Sequence, residues 1–130
     1  NYISTIFSQK WRISDDGKTT FVNGDGILEE TMLGAVSSLI SMSPSLQGRL
    51  LFVRTPRKDG SYKFSSRKCL DCKSQADLGL IMRNCSEALN GTGGGHSGAA
   101  GCSIPSSALE DFIASIKAVA NDPKFTSATS

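Results

Sequence analysis

The sequence has little of what a metal centre or a base-stacking surface requires. It contains a single histidine, His96, and aromatic residues make up only 7% of the chain. One histidine cannot supply the ligands of a two-metal hydrolytic centre, and no group of carboxylates has a spacing that would replace them. The few aromatic residues are not interleaved with basic ones, so no platform for stacking single-stranded bases is evident. The chain is therefore expected to bind a ligand and not to catalyse a reaction by itself.

Long apolar runs and a strong charge imbalance are also missing. No run approaches the ~18 apolar residues of a membrane span, so no membrane contact is expected. No cleavable signal peptide is recognisable, and the chain starts at Asn1 and not at methionine, so we expect a fragment or processed form of a cytoplasmic protein. The net charge of +2 excludes a polycation that coats nucleic acid indiscriminately. A chain of 130 residues, 38% of them hydrophobic, is long enough for one domain with its own core.

Basic residues are nevertheless concentrated in one segment. Only Asp59 and Asp71 oppose a run of seven basic residues, which are Arg54, Arg57, Lys58, Lys63, Arg67, Lys68 and Lys73. A patch of this kind attracts polyanions and speeds their capture. The alternative interpretation is a solvated hairpin that carries these residues for solubility, and the patch alone does not decide between the two.

Four cysteines leave a second question open. Cys69 and Cys72 form a CxxC pair, which can chelate zinc or form a redox disulfide. A second CxxC is absent, and Cys85 and Cys102 are expected to be small apolar core residues, one in a helix and one in a strand. A zinc site would need all four thiols, or three of them with His96, to converge. A cysteine-based zinc or redox module is therefore a weaker alternative.

The apolar pattern predicts strands interleaved with helices. We expect a hairpin or strand segment over residues 1–25, with its turn at Asp15–Lys18, and a domain over 26–122. The predicted elements of that domain are a helix from Glu29 that ends at Pro44, strands at 50–53 and 62–65, a helix opened by a capping box at 74–77, a strand at 99–104 and a helix from Ser107 to Pro123. A flexible tail is expected over 123–130. This order predicts an α/β domain, a mixed sheet with helices packed against it, in a single compact unit.

The glycine-rich segment between Gly91 and Gly101 is the most informative stretch. It lies between a predicted helix and a predicted strand, and His96 stands in its middle. Glycines leave backbone N–H groups accessible to a ligand, and successive amides in a turn attract anions. A flexible linker is the alternative, but the small-residue strand that follows favours a loop that contacts phosphate. His96 is then a donor to a phosphate or a base, because no relay partner for a general base is adjacent.

Arg67 and Ser65 are the other candidate site residues. Arg67 ends the strand that contains Ser65, where a guanidinium can contact a phosphate with two N–H groups and a hydroxyl can donate to the same anion. A surface arginine on an edge strand is the equally simple alternative.

The segment Gly93-Gly-Gly-His-Ser-Gly-Ala-Ala-Gly101 resembles the GGGHxxAAG signature of the DHH-associated C-terminal domain of DHH-family phosphoesterases. The segment 59–67, Asp-Gly-Ser-Tyr-Lys-Phe-Ser-Ser-Arg, is similar to the strand that carries a serine and an arginine in that family. Segments 26–34 and 50–53 resemble its leading helix and strand, more like archaeal RecJ-like members than bacterial ones. The resemblance covers about residues 26–120.

The resemblance implies the substrate-binding half of a two-domain phosphoesterase or exonuclease. Gly93, Gly94, Gly95 and His96 would hold a phosphate of single-stranded nucleic acid, a short oligonucleotide or a nucleotide, with Ser65 and Arg67 as the second contact. Manganese or magnesium would belong to the DHH catalytic domain of the same parent chain, because this chain has no Asp-His-His triplet and no cofactor is expected in it. The alternative is a non-catalytic nucleic-acid-binding or assembly module of a replication or repair protein.

Overall fold

The alternation and clustering of apolar residues produce a six-stranded sheet with helices on both faces. The structure is a computed structural model and describes residues 1–126. The helices are α1 (Tyr2–Ser8), α2 (Leu33–Ser41), α3 (Leu78–Glu87) and α4 (Leu109–Val119), and the strands are β1 (Ile13–Asp15), β2 (Thr19–Asn23), β3 (Leu50–Pro56), β4 (Tyr62–Lys68), β5 (Thr92–Gly95) and β6 (Ala99–Ile104). The spatial order is β1-β2-β3-β4-β6-β5.

Only one neighbouring pair of strands is parallel. Strands β2 and β3 run in parallel, and α2 lies in the connection between them, whereas the other four pairs are antiparallel. A parallel pair needs a long crossover, and here a helix supplies it. The predicted α/β class with a mixed sheet is confirmed.

The side chains of the central strands are divided between two cores. On β3, Phe52 packs with apolar residues of α3 and α4, whereas Leu51 and Val53 pack with those of α1 and α2. Continuous apolar strands of this kind are covered on both faces. Strand β4 has only Phe64 as a large buried residue, and Phe64 packs against Phe112 of α4 with ring centroids 4.7 Å apart.

The N-terminal region differs from the prediction. Residues 2–8 form a helix where strands were expected, and Asn1 caps it with its side chain, which accepts from the Ser4 N–H at 2.9 Å. Ile6 is fully buried and packs beside α2. A helix of about two turns has little stability of its own, so this burial and the cap decide its conformation. The predicted turn at Asp15–Lys18 does join two strands.

Three further boundaries also differ. The N-cap of α3 is Asp77 and not Ser74, because the Asp77 carboxylate accepts from the Leu80 N–H at 3.1 Å. The predicted glycine loop is in part strand β5. The expected tail begins with a short 3₁₀ turn at Pro123–Phe125, and the Phe125 carbonyl accepts from the Asp77 N–H at 2.7 Å. Residues 123–126 thus pack against the domain, and 127–130 lie outside the described residues.

Candidate functional site

One sheet face is left largely uncovered on β6 and β5. Along β6 the residues alternate between half-exposed and buried, because Ala100, Cys102 and Ile104 face α3 and α4. The opposite face of β3 and β4 is covered by α2, which packs on those two strands. We call the remaining surface the open face. The strand register places Ala99, Gly101, Ser103, Gly94 and Thr92 on it, and it places Lys63, Ser65 and Arg67 of β4 on the same side of the sheet, at the border with α2.

Arg67 lies at the centre of a hydrogen-bond network on the open face. Its Nε donates to Ser38 Oγ at 3.2 Å, and Nη2 donates to the Gly34 carbonyl at 3.3 Å, so two bonds connect it to α2. Its Nη1 donates to Ser65 Oγ at 3.0 Å and to the Ser66 carbonyl at 2.7 Å. A guanidinium has five N–H groups. One N–H, on Nη2, therefore has no acceptor within residues 1–126 and is free for a ligand.

Within residues 1–126, Arg67 has no acidic partner, unlike the three arginines that form ion pairs. Arg49, Arg54 and Arg57 each contact a carboxylate, at 3.2, 3.5 and 3.0 Å respectively. Within residues 1–126, Arg67 forms no ion pair. Burial lowers its pKa from the ordinary arginine value, yet a guanidinium stays protonated at neutral pH. The open face thus carries a partly desolvated cation whose charge no carboxylate balances.

Ser65 lies beside Arg67 and keeps a hydroxyl hydrogen that is not donated within residues 1–126. Its side chain is 6% exposed, and its Oγ is an acceptor for Arg67. A hydroxyl that accepts one bond keeps its own hydrogen as a donor, and no acceptor for it occurs within residues 1–126. Ser66, the next residue, points to the other face, where its Oγ donates to the Ala100 carbonyl at 3.0 Å. The two serines therefore have different roles, and only Ser65 adjoins Arg67 on the open face.

The three glycines before His96 are spread over both faces of β5. A Cβ on Gly93 would lie 2.6 Å from the Cβ of Cys102 and 2.7 Å from the Met82 carbonyl oxygen, so this glycine permits close packing of α3. Gly95 has a φ of +142°, which side chains rarely adopt, and a Cβ there would lie 2.7 Å from the Cα of Ala100. Only Gly94 would present its Cβ to open space. Two of the predicted ligand glycines thus have a packing role.

His96 starts the turn that joins β5 to β6. Its N–H donates to the Ala99 carbonyl at 2.9 Å, and the register places Ala99 directly opposite Arg67. The imidazole is exposed and makes no hydrogen bond within residues 1–126. The structure thus brings His96 to the end of the open face where Arg67 lies.

The same turn supplies unpaired backbone donors. The N–H groups of Ser97 and Gly98 donate to no residue in the range 1–126, while the two carbonyls accept, Ser97 from the Leu78 N–H at 2.9 Å and Gly98 from the Lys68 N–H at 3.3 Å. These bonds fasten the turn to the start of α3 and to the end of β4. Neighbouring amides without partners attract anions, so the turn is a second set of donors beside Arg67.

A shallow depression adjoins these groups. It encloses about 260 Å³ and is bordered by Gly34 of α2, by Lys63, Ser65 and Arg67 of β4, and by the backbone of Ala99–Gly101. Sequence reasoning did not include Gly34 and Ser38, which lie one helical turn apart on α2, and it named Lys63 only as part of the basic patch. Their spacing along α2 was visible, but nothing in the sequence indicated that this side of α2 lies against Arg67.

The cysteines do not assemble into a site within residues 1–126. Cys85 and Cys102 are buried in the core, as expected, and burial raises the pKa of both thiols. Burial together with the neighbouring Cys72 raises the pKa of Cys69 to about 11. All four thiols are free, and no group of three or more histidine, cysteine or acidic residues in this range could hold a metal ion.

Within residues 1–126 no helix is long and apolar enough to cross a membrane.

Several solved structures share this fold. The C-Ala domain of alanyl-tRNA synthetase from Aquifex aeolicus superimposes with a TM-score of 0.60 at 15% identity, over 83% of this chain and 94% of that one. The pGpG-specific phosphodiesterase PggH from Vibrio cholerae gives 0.61 at 15% identity over 92% of this chain. The DHH domain of a protein described as a member of a family of ribosomal proteins gives 0.65 at 15% identity over 93%.

This chain corresponds to only part of the two larger proteins. It spans 39% of PggH and 30% of the DHH-domain protein. No curated protein sequence matches it. The family model of the DHHA1 domain matches residues 18–122, a range that begins in the β1–β2 turn. The chain belongs to the DHHA1 domain family.

Proposed function

We propose that this chain is the substrate-binding domain of a DHH-type phosphoesterase, and that its open face holds a phosphate of a nucleic acid or nucleotide. The observation that carries the proposal is the environment of Arg67. This partly buried cation donates to four protein acceptors and contacts no carboxylate within residues 1–126. Such a charge is stabilised by an anion, and phosphate matches the planar guanidinium.

The surrounding donors favour phosphate over a carboxylate or a halide. The free N–H of Arg67 and the hydroxyl of Ser65 are donors at the border of the depression, and the amides of Ser97 and Gly98 are donors in the turn that precedes Ala99, another residue of that border. His96 adds an exposed imidazole at the same end. A tetrahedral group with several oxygens can accept from more than one of these donors. Gly94 and Gly101 leave the floor free of side chains, so the backbone of the ligand can approach closely.

Catalysis is assigned to a separate domain that this chain does not include. Residues 1–126 contain no group of side chains that fits a metal pair, and the chain has one histidine. Manganese or magnesium, and the DHH residues that bind them, are therefore proposed for the catalytic domain of the parent protein. The contribution of this chain is to bind and orient the phosphate. Exonuclease activity and kinship with archaeal RecJ-like proteins are finer predictions of the same proposal.

The test is binding of a short fluorescent single-stranded oligonucleotide, followed by anisotropy at low and moderate salt. The unaltered chain should bind more weakly as salt rises, because phosphate contacts release counterions. Arg67→Ala should weaken binding by about tenfold or more, the effect of losing a hydrogen bond to a charged group, and His96→Ala should also weaken it. Arg83→Ala is the matched control, because Arg83 is an exposed arginine on α3.

Two results would contradict the proposal. One is absence of salt-sensitive binding by the unaltered chain, and the other is equal binding by Arg67→Ala and Arg83→Ala. If binding were confirmed but the parent protein had no DHH ligand residues, the non-catalytic binding module would replace the phosphoesterase.

A further inference from the structure

A glycine occupies the second position of helix α3, where alanine would be the better helix former. Gly79 is buried, and a Cβ built on it would lie 2.8 Å from the carbonyl carbon of Gly95 and closer still to the oxygen. Ordinary contacts between carbon atoms are about 3.5–4.0 Å long. The helix therefore has a glycine at this position because the Gly95 carbonyl fills the space of a side chain.

The first turn of α3 and the β5–β6 turn are joined by backbone groups. The Leu78 N–H donates to the Ser97 carbonyl at 2.9 Å, and the Gly95 carbonyl lies against Gly79. These two carbonyls flank His96, so the start of the β5–β6 turn rests on α3 at two points. A close contact between backbone atoms is relieved only by moving the chain, so these contacts fix where the turn lies.

The first turn of α3 is itself held in place by the rest of the domain. The Asp77 N–H donates to the Phe125 carbonyl at 2.7 Å, next to the Leu78 N–H that supports the β5–β6 turn. The Asp77 carboxylate caps the helix by accepting from the Leu80 N–H at 3.1 Å. Leu78 has no exposed surface and lies in the core that α4 covers. Consecutive N–H groups thus connect the start of α3 to the C-terminal segment and to the β5–β6 turn.

The β5–β6 turn carries donors that the proposed function assigns to a phosphate. These donors are the N–H groups of Ser97 and Gly98, which have no acceptor within residues 1–126, and the exposed imidazole of His96. Binding groups need to be held within about 0.5 Å of their productive positions. A methyl group added at Gly79 would require a displacement of about 1 Å to restore an ordinary contact with Gly95. The displacement exceeds what the donors tolerate.

We infer that Gly79 is a positioning residue for ligand binding, because it lets α3 hold the β5–β6 turn where the Ser97 and Gly98 amides contact the phosphate. The inference rests on the proposed function, since it needs a phosphate bound beside Arg67 and this turn. Gly79 is buried and acts on the ligand through Gly95. Its effect is therefore on the geometry of neutral donors and not on the number of cations that face the ligand.

The experiment is the anisotropy titration of the full 130-residue chain with the fluorescent oligonucleotide, and the variant is Gly79→Ala. This substitution should weaken binding about tenfold, as expected when hydrogen bonds to a charged phosphate are lost. The slope of affinity against salt should stay the same, because no cation is removed. Arg67→Ala should reduce that slope by about 0.7. The salt slope thus distinguishes a positioning residue from a charge that contacts the ligand.

Gly24→Ala is the matched control for the loss of stability. A Cβ on Gly24 would lie 2.7 Å from the Arg54 carbonyl oxygen, so the same methyl group meets backbone in the same way. Gly24 follows β2, and β3 and β4 separate that strand from β6. Both variants should lower the midpoint of urea unfolding, but Gly24→Ala should keep the affinity of the unaltered chain. Circular dichroism identifies a temperature at which each variant is folded for the titrations.

A measurement on the unaltered chain covers the case in which Gly79→Ala does not fold. Amide hydrogen exchange of Leu78 reports local opening between α3 and the β5–β6 turn. Oligonucleotide binding should slow this exchange several-fold, because a ligand that needs the turn in place also stabilises the contact. The reference is the Gly24 N–H, which donates to the Arg54 carbonyl at 2.9 Å, and its exchange should slow less.

The outcomes separate this inference from the proposed function. Equal affinity of Gly79→Ala and Gly24→Ala would overturn the inference, and so would equal slowing of the Leu78 and Gly24 amides by the oligonucleotide. A reduced salt slope in Gly79→Ala would overturn it as well, because the variant would then act through a cation. The proposed function fails in a different way, namely if Arg67→Ala binds like Arg83→Ala.

Discussion

The two hairpins at the edges of the sheet differ in whether the backbone N–H groups of their turns have hydrogen-bond partners. In the β1–β2 turn, Asp16 accepts from the N–H groups of Lys18 and Thr19 at 2.9 and 2.8 Å, and Asp15 pairs with Arg49. In the β5–β6 turn, the amides of Ser97 and Gly98 have no partner within residues 1–126. The N–H groups of the first turn are hydrogen-bonded to acceptors of the chain itself. In the second turn, two N–H groups have no acceptor within residues 1–126.

The same difference applies to the charges near the two hairpins, because one is balanced inside the molecule and the other has no opposite charge within residues 1–126. Burial alone would raise the pKa of Asp15, but hydrogen bonds from Gly17, Arg49 and Thr20 lower it below the ordinary value. The charge of Asp15 is thus balanced inside the molecule. Arg67, beside the second hairpin, has acceptors but no opposite charge in the described range. A basic residue is informative about function when the structure leaves its charge unbalanced.

The largest expected effect concerns the packing of the second hairpin. Gly93→Ala should lower the free energy of unfolding by about 3 kcal/mol, because the added methyl group would overlap the Cys102 side chain and the Met82 backbone. Urea denaturation of both proteins measures the difference. Gly98→Ala is the control, since its Cβ would meet no atom within 4 Å. Equal stability of the two variants would show that α3 does not need the glycine.

A carboxylate introduced next to Arg67 should balance its charge inside the molecule, as Asp15 and Arg49 balance each other near the first hairpin. Ala99 lies opposite Arg67 in the register, so Ala99→Asp should weaken oligonucleotide binding by about tenfold or more through competition for the guanidinium. The midpoint of urea unfolding should stay the same or rise. Ala99→Asn has a similar shape without the charge and should bind more tightly than Ala99→Asp. If the two variants bind alike, the missing carboxylate has no role in binding.

A smaller effect is expected from the β1–β2 turn. Asp16→Asn should lower the free energy of unfolding by about 1 kcal/mol at neutral pH, because an amide accepts more weakly than a carboxylate at an exposed turn. The N–H groups of Thr19 and Lys18 hold the pKa of Asp16 below its usual range. This stabilisation is complete above the unfolded-state pKa of about 3.9 and is lost as pH falls through the lower folded-state pKa. The difference between the two proteins should therefore shrink in acid, and a constant difference would exclude the carboxylate as its source.

The smallest expected effect concerns the contact between α2 and Arg67. Ser38→Ala removes the acceptor for Arg67 Nε and should weaken oligonucleotide binding about threefold, with little change in stability. Anisotropy titrations measure the affinity. Ser45→Ala, at an exposed serine in the turn after α2, is the matched control. Identical binding by the two variants would mean that the Ser38 bond does not position the guanidinium.

The sequence predicted most elements whose residues follow a regular apolar pattern. Helices α2, α3 and α4 and strands β3, β4 and β6 have such patterns, and turns with glycine or aspartate separate them. The pattern did not reveal α1, because a seven-residue helix depends on burial of Ile6 and on its cap. It did not reveal β5 either, since glycines have no side chains to alternate between faces.

The candidate site was predictable only in part. Ser65, Arg67 and His96 were found from residue type and motif, and the structure places them at one end of the open face. Gly93 lies close to α3 and Gly95 lies close to Ala100 of β6, whereas Gly94 faces open space. No local pattern in the sequence encodes these tertiary contacts. The contact of Ser38 with Arg67 depends on tertiary packing in the same way. Their roles in binding stay predictions.

The four hydrogen bonds of Arg67 also have a thermodynamic consequence for any ligand. An arginine side chain carries about 2 kcal/mol of rotamer entropy, and the bonds to Ser38, Gly34, Ser65 and Ser66 already confine it. Folding has therefore met the cost of ordering this side chain before the ligand arrives. Association at the Arg67 end should resemble docking to a rigid surface, with backbone displacements below about 1 Å.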